Sequence, residues 1–462
     1  MTLIKSISGI RGTMGGAEGT GLTPIDVVKF TAAFCTLMQR KNATIAIKVV
    51  VGRDARISGP MVNALVCNTL VGMGAEVIDL GLSTTPTVEV AVPHESAHAG
   101  IILTASHNPL QWNALKLLNE VGEFISADEG AEVLRLASSG EVSFADIHAL
   151  GSIVQKDFMG EHIRQILELK LVDQKAIQAA NLYVAVDAVN SSGGVFVPAL
   201  LDALGVKRIE TIHCTPNGHF PHNPEPLPEH LTDIIEVVKS KGCQMGIVVD
   251  PDVDRLAFVC EDGTVFGEEY TLVAVADYIL SCTPGNTVSN LSSTRALSDV
   301  TRKQGGVYTA SAVGEVNVVT AMKETNAVIG GEGNGGIIYP DTHYGRDALA
   351  GLALFLTHFV MKGTTMSALR DSYPRYEISK NKIELSEGMD VDAILAKVQT
   401  LYPDAQVNTI DGVKFDFPDG WVHLRKSNTE PIVRVIAEHT NKEKADQLAL
   451  EVMQTIREVA GI

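Results

Sequence analysis

Four short segments of this chain gather side chains that handle phosphate, metal or sugar. The first is Thr104-Ala105-Ser106-His107-Asn108-Pro109, directly after the strand-like run Gly100–Leu103. A serine on a tight polar turn is exposed as a nucleophile or phosphate carrier. His107 can orient it or shuttle a proton, and Lys116 can neutralise phosphate. The competing reading is a capped turn without chemistry, because only some loops carry function. The second segment is Asp250-Pro251-Asp252-Val253-Asp254-Arg255, after the strong strand Met245–Val249. Its three carboxylates at alternate positions converge on one cation if the backbone turns, and an oxygen-only ligand set suits Mg²⁺. A solvated acidic turn is the alternative, but three acids beside an apolar strand repel one another without a cation. The glycine and distal glutamate of an EF-hand are missing.

The third segment, Gly330-Gly331-Glu332-Gly333-Asn334-Gly335-Gly336, follows the short strand Ala327–Ile329. Its glycines let the backbone approach a ligand closely, and Glu332 and Asn334 can exchange hydrogen bonds with sugar hydroxyls. A glycine-rich turn is the plainer reading, and no Lys-Ser/Thr follows as in a nucleotide-binding loop. The fourth is Arg425-Lys426-Ser427-Asn428-Thr429-Glu430-Pro431, with Arg434 close behind. Hydroxyls, an amide and two arginines make an oxyanion cradle, and a simple capped turn has no need of flanking arginines.

The elements that must position these segments alternate. Ile45–Val51, Glu76–Leu80 and Gly100–Leu103 read as strands, with a helix over Gly59–Met73. The pattern restarts at the strand Tyr183–Val186, which ends in Asp187, and again after Gly263 with helix Glu268–Leu280, strand Thr287–Leu291 and helix Arg295–Gln304. Strand–helix alternation predicts parallel sheets covered by helices, with ligands at the carboxyl ends of the strands. The last stretch differs: five strand-like runs between Tyr376 and Ala437 are accompanied by helices near Val391–Leu401 and Lys442–Val459. The expected fold class is α/β, with three successive mixed-sheet units and a small C-terminal α+β domain. The expected domains are 1–152, 153–256, 257–371 and 372–462.

The 462 residues are 45% hydrophobic and 20% charged, as expected of a chain with a full core rather than a disordered one. A net charge of −18 gives no electrostatic reason to coat nucleic acid or an anionic membrane, so a phosphate site must be a local basic pocket. Six cysteines form no CxxC pair and suggest neither a zinc site nor a disulfide framework. Met1–Gly12 lacks the apolar core of a signal peptide and no apolar run is long enough to span a membrane, so a cytoplasmic protein is expected.

In combination, TASHNP, DPDVDR, GEGNGG and RKSNTEP, in this order, resemble the α-D-phosphohexomutase superfamily over essentially the whole chain, and Ser8-Gly9-Ile10-Arg11-Gly12-Thr13 is similar to its N-terminal signature. The resemblance implies four domains around a central cleft, each donating one loop. It implies that Ser106 is the phosphorylated residue and that its phosphate binds Mg²⁺ together with Asp250, Asp252 and Asp254. Arg11, His107, Lys116 and Arg255 would line the reacting phosphoryl group, Glu332 and Asn334 would contact the sugar, and Arg425, Ser427, Asn428, Thr429 and Arg434 would hold the other phosphate. A hexose 1,6-bisphosphate would be both intermediate and activator, and the protein would be a monomer or homodimer acting on a small phosphosugar.

Three positions depart from the family pattern. Ala114 stands where glycine is common, Asn334 replaces a serine, and Glu315 stands where mannose/glucose mutases often carry histidine. A carboxylate favours the cation of an amino sugar, so interconversion of glucosamine 6-phosphate and glucosamine 1-phosphate is expected. The alternatives are a phosphomannomutase/phosphoglucomutase, a non-catalytic phosphosugar-binding protein, and a metal-dependent phosphatase.

Overall fold

The computed structural model describes residues 2–6, 9–44, 46–385, 389–426 and 432–461. The chain divides into two compact units, Met1–Tyr278 with Asn334–Leu369, and Ile279–Gly333 with Arg370–Ile462.

The first unit holds two sheets. The larger has seven strands in the order Ile4–Ser6, Gly9–Thr13, Trp112–Leu118, Ala99–Leu103, Lys48–Arg53, Glu76–Leu82 and Ser152–Gln155. Its central strands are apolar on both faces. Val49, Val51, Ile101 and Leu103 join one buried cluster, while Val50 and Ile102 join another. A period-2 strand buried on both sides reads as a continuous apolar run, which is why Lys48–Arg53 shows no alternation. The smaller sheet has the order Leu256–Cys260, Met245–Val249, Tyr183–Asp187 and Arg208–Ile212.

Strand polarity corrects one expectation. Trp112–Leu118 runs antiparallel to Ala99–Leu103, and Leu256–Cys260 runs antiparallel to Met245–Val249. The serine and aspartate segments, read from the sequence only as loops that follow strands, are therefore hairpin turns between antiparallel strands. The connections are too short to be crossovers, which need about a dozen residues or more.

In the second unit, three parallel strands lie in the order Tyr308–Ser311, Asn286–Asn290 and Ala327–Glu332, with helices Ala296–Lys303 and Glu315–Thr325 packed on them. The third strand is longer than expected: it runs to Glu332, so Gly330 and Gly331 are strand residues. The C-terminal sheet is wholly antiparallel, in the order Glu377–Glu384, Ile432–His439, Gly420–Lys426, Val413–Phe417 and Gln406–Asn408. Helices Val391–Gln399 and Lys442–Ala460 complete a core around Phe415, Val422, Leu424, Val433 and Val435. Among the described residues no helix is long and apolar enough to cross a membrane.

Candidate active site

The turn after Leu103 is held from beneath by a salt bridge. Asp54, directly after strand Lys48–Arg53, is buried, and Arg56 Nε donates to its Oδ2 at 3.0 Å. Thr104 Oγ1 also donates to that oxygen, at 2.7 Å, and accepts in turn from Ser106 N at 2.9 Å. The Arg56 guanidinium then fans out across the turn. It donates to the carbonyls of Pro109 (2.8 Å), Trp112 (3.0 Å), Asn108 (2.7 Å) and Ser106. Burial pushes the Asp54 carboxyl up, with Arg56 acting against it. Around this hub the backbone of Ser106 takes a left-handed φ of +48°, a conformation that persists only when surroundings enforce it. Ser106 is 8% exposed, so the serine is nearly enclosed rather than standing on an open surface turn.

Its hydroxyl points at the aspartate turn. Ser106 Oγ donates to Asp250 Oδ2 at 2.8 Å and lies 3.4 Å from His107 Nδ1. The turn itself is knotted by Asp250, whose Oδ1 accepts from the backbone N–H of Asp254 and of Arg255, each at 3.2 Å. Val253 completes it with φ +62°. Asp250, Asp252 and Asp254 are all at most 1% exposed, and each offers an oxygen within 4.8 Å of the others. Burial, then the charges of Asp252 and Asp254, raise the Asp250 carboxyl well above the usual carboxylate range. Burial acts the same way on Asp252, but Lys116 outweighs it and holds that carboxyl below the range.

The cation that three neighbouring acids call for is supplied in part by the chain itself. Lys116 Nζ lies 2.7 Å from Asp252 and 3.3 Å from Asp254, and Arg346 Nη2 lies 2.7 Å from Asp254. Burial opposes the Lys116 ammonium, but Asp252 and Asp254 more than reverse this and raise it. Thr85, at the start of helix Thr85–His94, adds a hydrogen bond to Asp252 Oδ2 at 2.5 Å. Even so, Asp252 Oδ1 and Asp254 Oδ1 are buried without a hydrogen-bond donor. Two orphaned carboxylate oxygens beside a third carboxylate fit a hard divalent cation, which takes only oxygen ligands. Asp250, Asp252, Asp254 and Ser106 are the groups that would hold it.

Arg255 and Arg11 complete this part of the site. Arg255 Nη1 reaches Glu225 at 3.4 Å, and its Nε stands 3.9 Å from Asp254. Arg11 sits in strand Gly9–Thr13 directly opposite Ala114, on the face that also carries Lys116. Desolvation comes first, and with the positive field of Arg255, Arg346 and Arg11 it holds His107 well below the ordinary histidine range.

Asn334, in the same unit, spends its carbonyl oxygen on the N–H of Gly336, 3.1 Å away, which closes the glycine turn. In the second unit, Glu332 Oε1 accepts from Asn290 Nδ2 at 2.8 Å and from Gly314 N at 3.2 Å. Glu315 follows Gly314 and opens its helix, 8% exposed, one residue along from the amide that Glu332 accepts from. In the C-terminal sheet, Arg425 and Arg434 face each other directly across antiparallel strands, and Lys382 is opposite Arg434 on the next strand. Like charges opposite one another repel, so this row favours an anion. Asp411 partly compensates, 2.8 Å from Arg425 Nε, and also accepts from Val313 N at 3.0 Å. Ser427, Asn428 and Thr429, like Ser8, lie outside the described residues.

Sequence reasoning passed over Arg56, Thr85, Arg346, Asn290, Asp411 and Lys382. Asp54 is marked by its place at the end of a strand, but the others carry no spacing signal. Arg346 reaches Asp254 across 92 residues. It is set by its neighbour Asp347, which caps helix Ala348–Lys362 and accepts from His162 at 3.0 Å.

Comparison with known proteins bears on all of this. Residues 3–142, 160–263 and 267–376 match the phosphoglucomutase/phosphomannomutase alpha/beta/alpha domains I, II and III, and residues 381–455 match the C-terminal domain. A "phosphoglucomutase/phosphomannomutase" of Thermococcus kodakarensis is 36% identical over 440 residues, covering 94% of this chain and 95% of that protein. A "phosphoglucosamine/phosphogalactosamine mutase" of Sulfurisphaera tokodaii is 30% identical, covering 96% and 97%. The crystal structure of a phosphoglucomutase/phosphomannomutase family protein from Burkholderia thailandensis superimposes with a TM-score of 0.85 at 26% identity, covering 99% of this chain and 98% of that one.

Proposed function

The chain belongs to the phosphoglucomutase/phosphomannomutase family and is a phosphohexomutase, an isomerase; from that premise we propose that it interconverts glucosamine 6-phosphate and glucosamine 1-phosphate through a phosphorylated Ser106. The observation that carries the mechanism is the 2.8 Å hydrogen bond from Ser106 Oγ to Asp250 inside a buried aspartate triad with two orphaned oxygens.

In the proposed reaction the Oγ–P bond of phosphoserine breaks as a sugar hydroxyl oxygen bonds to phosphorus. The hydroxyl proton passes through the site to Ser106 Oγ, which His107 Nδ1 faces at 3.4 Å. The product is a hexose 1,6-bisphosphate. Its other phosphate then returns to Ser106 and the proton travels back. The same bisphosphate would load an unphosphorylated enzyme. Phosphoryl transfer depends on in-line placement and charge neutralisation. Lys116, Arg255, Arg346 and Arg11 supply fixed positive charge for the equatorial oxygens. Mg²⁺, when bound by the aspartates, supplies Lewis-acid stabilisation of those oxygens. Arg425 and Arg434, with Ser427, Asn428 and Thr429, would hold the phosphate that is not reacting.

The amino-sugar assignment rests on Glu315 beside Glu332. Two carboxylates favour an ammonium over a plain 2-hydroxyl, by about ten-fold after desolvation and screening. The 36% identity to a phosphoglucomutase/phosphomannomutase supports glucose or mannose phosphate as the second reading. A panel of hexose 1- and 6-phosphates followed by phosphorus NMR decides between them. Interconversion without release of inorganic phosphate is expected, fastest for glucosamine phosphate. A wild-type preference for mannose or glucose phosphate discards the amino sugar, and net phosphate release discards the mutase mechanism. Glu315→Gln should lower kcat/KM for glucosamine phosphate several-fold relative to glucose phosphate in direct competition. An equal fall for both sugars would mean that Glu315 only positions its neighbours.

A further inference from the structure

Among the described residues, nine that are not glycine have left-handed backbone, and five of these fall at two places. Ser106 and Val253 belong to the reactive turns. Val189, Asn190 and His213 surround a second cluster in the same unit. Strained backbone persists where tertiary structure over-determines it, and such places concentrate at binding sites.

At this second place, one donor atom each from Asp187, His213 and His222 lies within 4.8 Å of the others. Asp187 ends strand Tyr183–Asp187 and is 1% exposed. Its Oδ1 is taken by Val189 N at 3.0 Å, and its Oδ2 is 3.1 Å from His222 Nε2. His222 Nδ1 donates to the carbonyl of Asn223 at 2.8 Å and Nε2 donates to Asp187 Oδ2, so a metal ion here would take the place of the Nε2 proton. His213 Nε2 is 3.0 Å from Asp233 Oδ2, which leaves Nδ1 as its electron-pair donor.

We propose that Asp187, His213 and His222 form a second metal site, selective for a borderline transition ion such as Zn²⁺ over Mg²⁺. Both histidines already have the outer partner that metal-bound imidazoles show, a carboxylate for His213 and a backbone carbonyl for His222. Two ligand atoms about 2.0–2.1 Å from one tetrahedral ion stand about 3.3 Å apart, close to the 3.1 Å between His222 Nε2 and Asp187 Oδ2. Two imidazoles and one carboxylate suit zinc, cobalt or nickel, whereas Mg²⁺ prefers the all-oxygen aspartate triad. His213 and His222 are half-buried and Asp187 is buried, which gives the ion an entry path and one open coordination position. An ion here braces the 213–222 segment against the reactive turns. Ser191 Oγ donates to the Pro251 carbonyl at 2.7 Å, and the Phe220 ring lies 5.1 Å from the Arg56 guanidinium.

The test uses the full chain, stripped by chelator dialysis and then saturated with Mg²⁺ to fill the aspartate triad. Titration with Co²⁺, followed by visible absorption, should show one equivalent bound and displaced by stoichiometric Zn²⁺. His213→Ala and His222→Ala should each weaken that binding by about 100-fold or more, while Asp252→Asn retains it. Zn²⁺ should raise the melting temperature of the wild type and of neither histidine variant. If the variants do not fold, the wild-type cobalt adduct carries the test. It should show two paramagnetically shifted exchangeable imidazole N–H resonances, one from each histidine. Cobalt uptake abolished by excess Mg²⁺, binding unchanged in both variants, or fewer than two shifted imidazole protons would overturn the proposal and leave His222 and Asp187 as an ion pair.

Discussion

The serine–aspartate site of the first unit and the arginine row of the C-terminal sheet are both assigned here to phosphate, yet they are built in opposite ways. Ser106, Asp250, Asp252, Asp254, Lys116 and Arg346 are all at most 9% exposed, and each is bonded to another member of the set or to the backbone around it. Arg434 is exposed and Arg425 half-buried, on neighbouring strands, on a sheet face whose other residues Trp421, His423 and Glu438 are buried. Charge that must stabilise a transition state acts best when it is preorganised and dry. Charge that only holds a substrate in place works equally in ground and transition states, and needs no such enclosure. The difference teaches that burial, more than residue type, separates the proposed phosphoryl-transfer cluster from the proposed phosphate-holding row.

That contrast breaks most directly at Ser106. Ser106→Ala should cut turnover by about 10⁴-fold or more and cost roughly 1 kcal/mol of stability through the lost bond to Asp250. Mass spectrometry after incubation with a hexose 1,6-bisphosphate should find one added phosphoryl on the wild type and none on the variant. Label that persists in Ser106→Ala would move the carrier elsewhere.

Arg56→Ala tests whether the enclosure is structural. It leaves Asp54 buried without its cation and strips donors from four carbonyls, so a loss of about 3–5 kcal/mol is expected in denaturant unfolding. Asp252→Asn should weaken Mg²⁺ by about 100-fold or more and lower turnover with it. Chelation should likewise inactivate the wild type and Mg²⁺ restore it. Undiminished activity after exhaustive chelation would remove the metal from the mechanism. The smallest effect belongs to the exposed row. Arg425→Ala should raise KM about ten-fold with a lesser change in kcat, and added salt should weaken the wild-type KM in the same direction. A kcat loss as large as that of Asp252→Asn would erase the distinction between the two regions.

Much of the candidate site set is legible before folding. Ser106, the three aspartates, Lys116 and the arginine pair are carried by local chemistry, each in a short polar run after an apolar strand. The mixed α/β units and the antiparallel C-terminal domain follow from where helical spacing alternates with strands and where it stops. Strand polarity is another matter. Periodicity is the same for parallel and antiparallel neighbours, so the strand that follows each reactive turn is not distinguished by it. Only the shortness of the stretches between Leu103 and Trp112, and between Val249 and Leu256, marks them as hairpins. Glycine weakens strand propensity, so the sequence ends this strand at Ile329, yet pairing with Asn286–Asn290 carries it through Gly330 and Gly331.

The sequence by itself determined which reactive groups exist and how tightly neighbouring ones are spaced along the chain, because turn geometry and strand spacing act over a few residues. Tertiary structure alone decided their partners and their charge. Arg56 under the serine turn, Arg346 on Asp254, and Lys116 between two aspartates are contacts across 50, 92 and more than 130 residues. The opposite displacements of Asp250 and Asp252 arise only from those contacts. Coulomb energy and desolvation depend on distance and burial in space, and neither quantity is written along the chain.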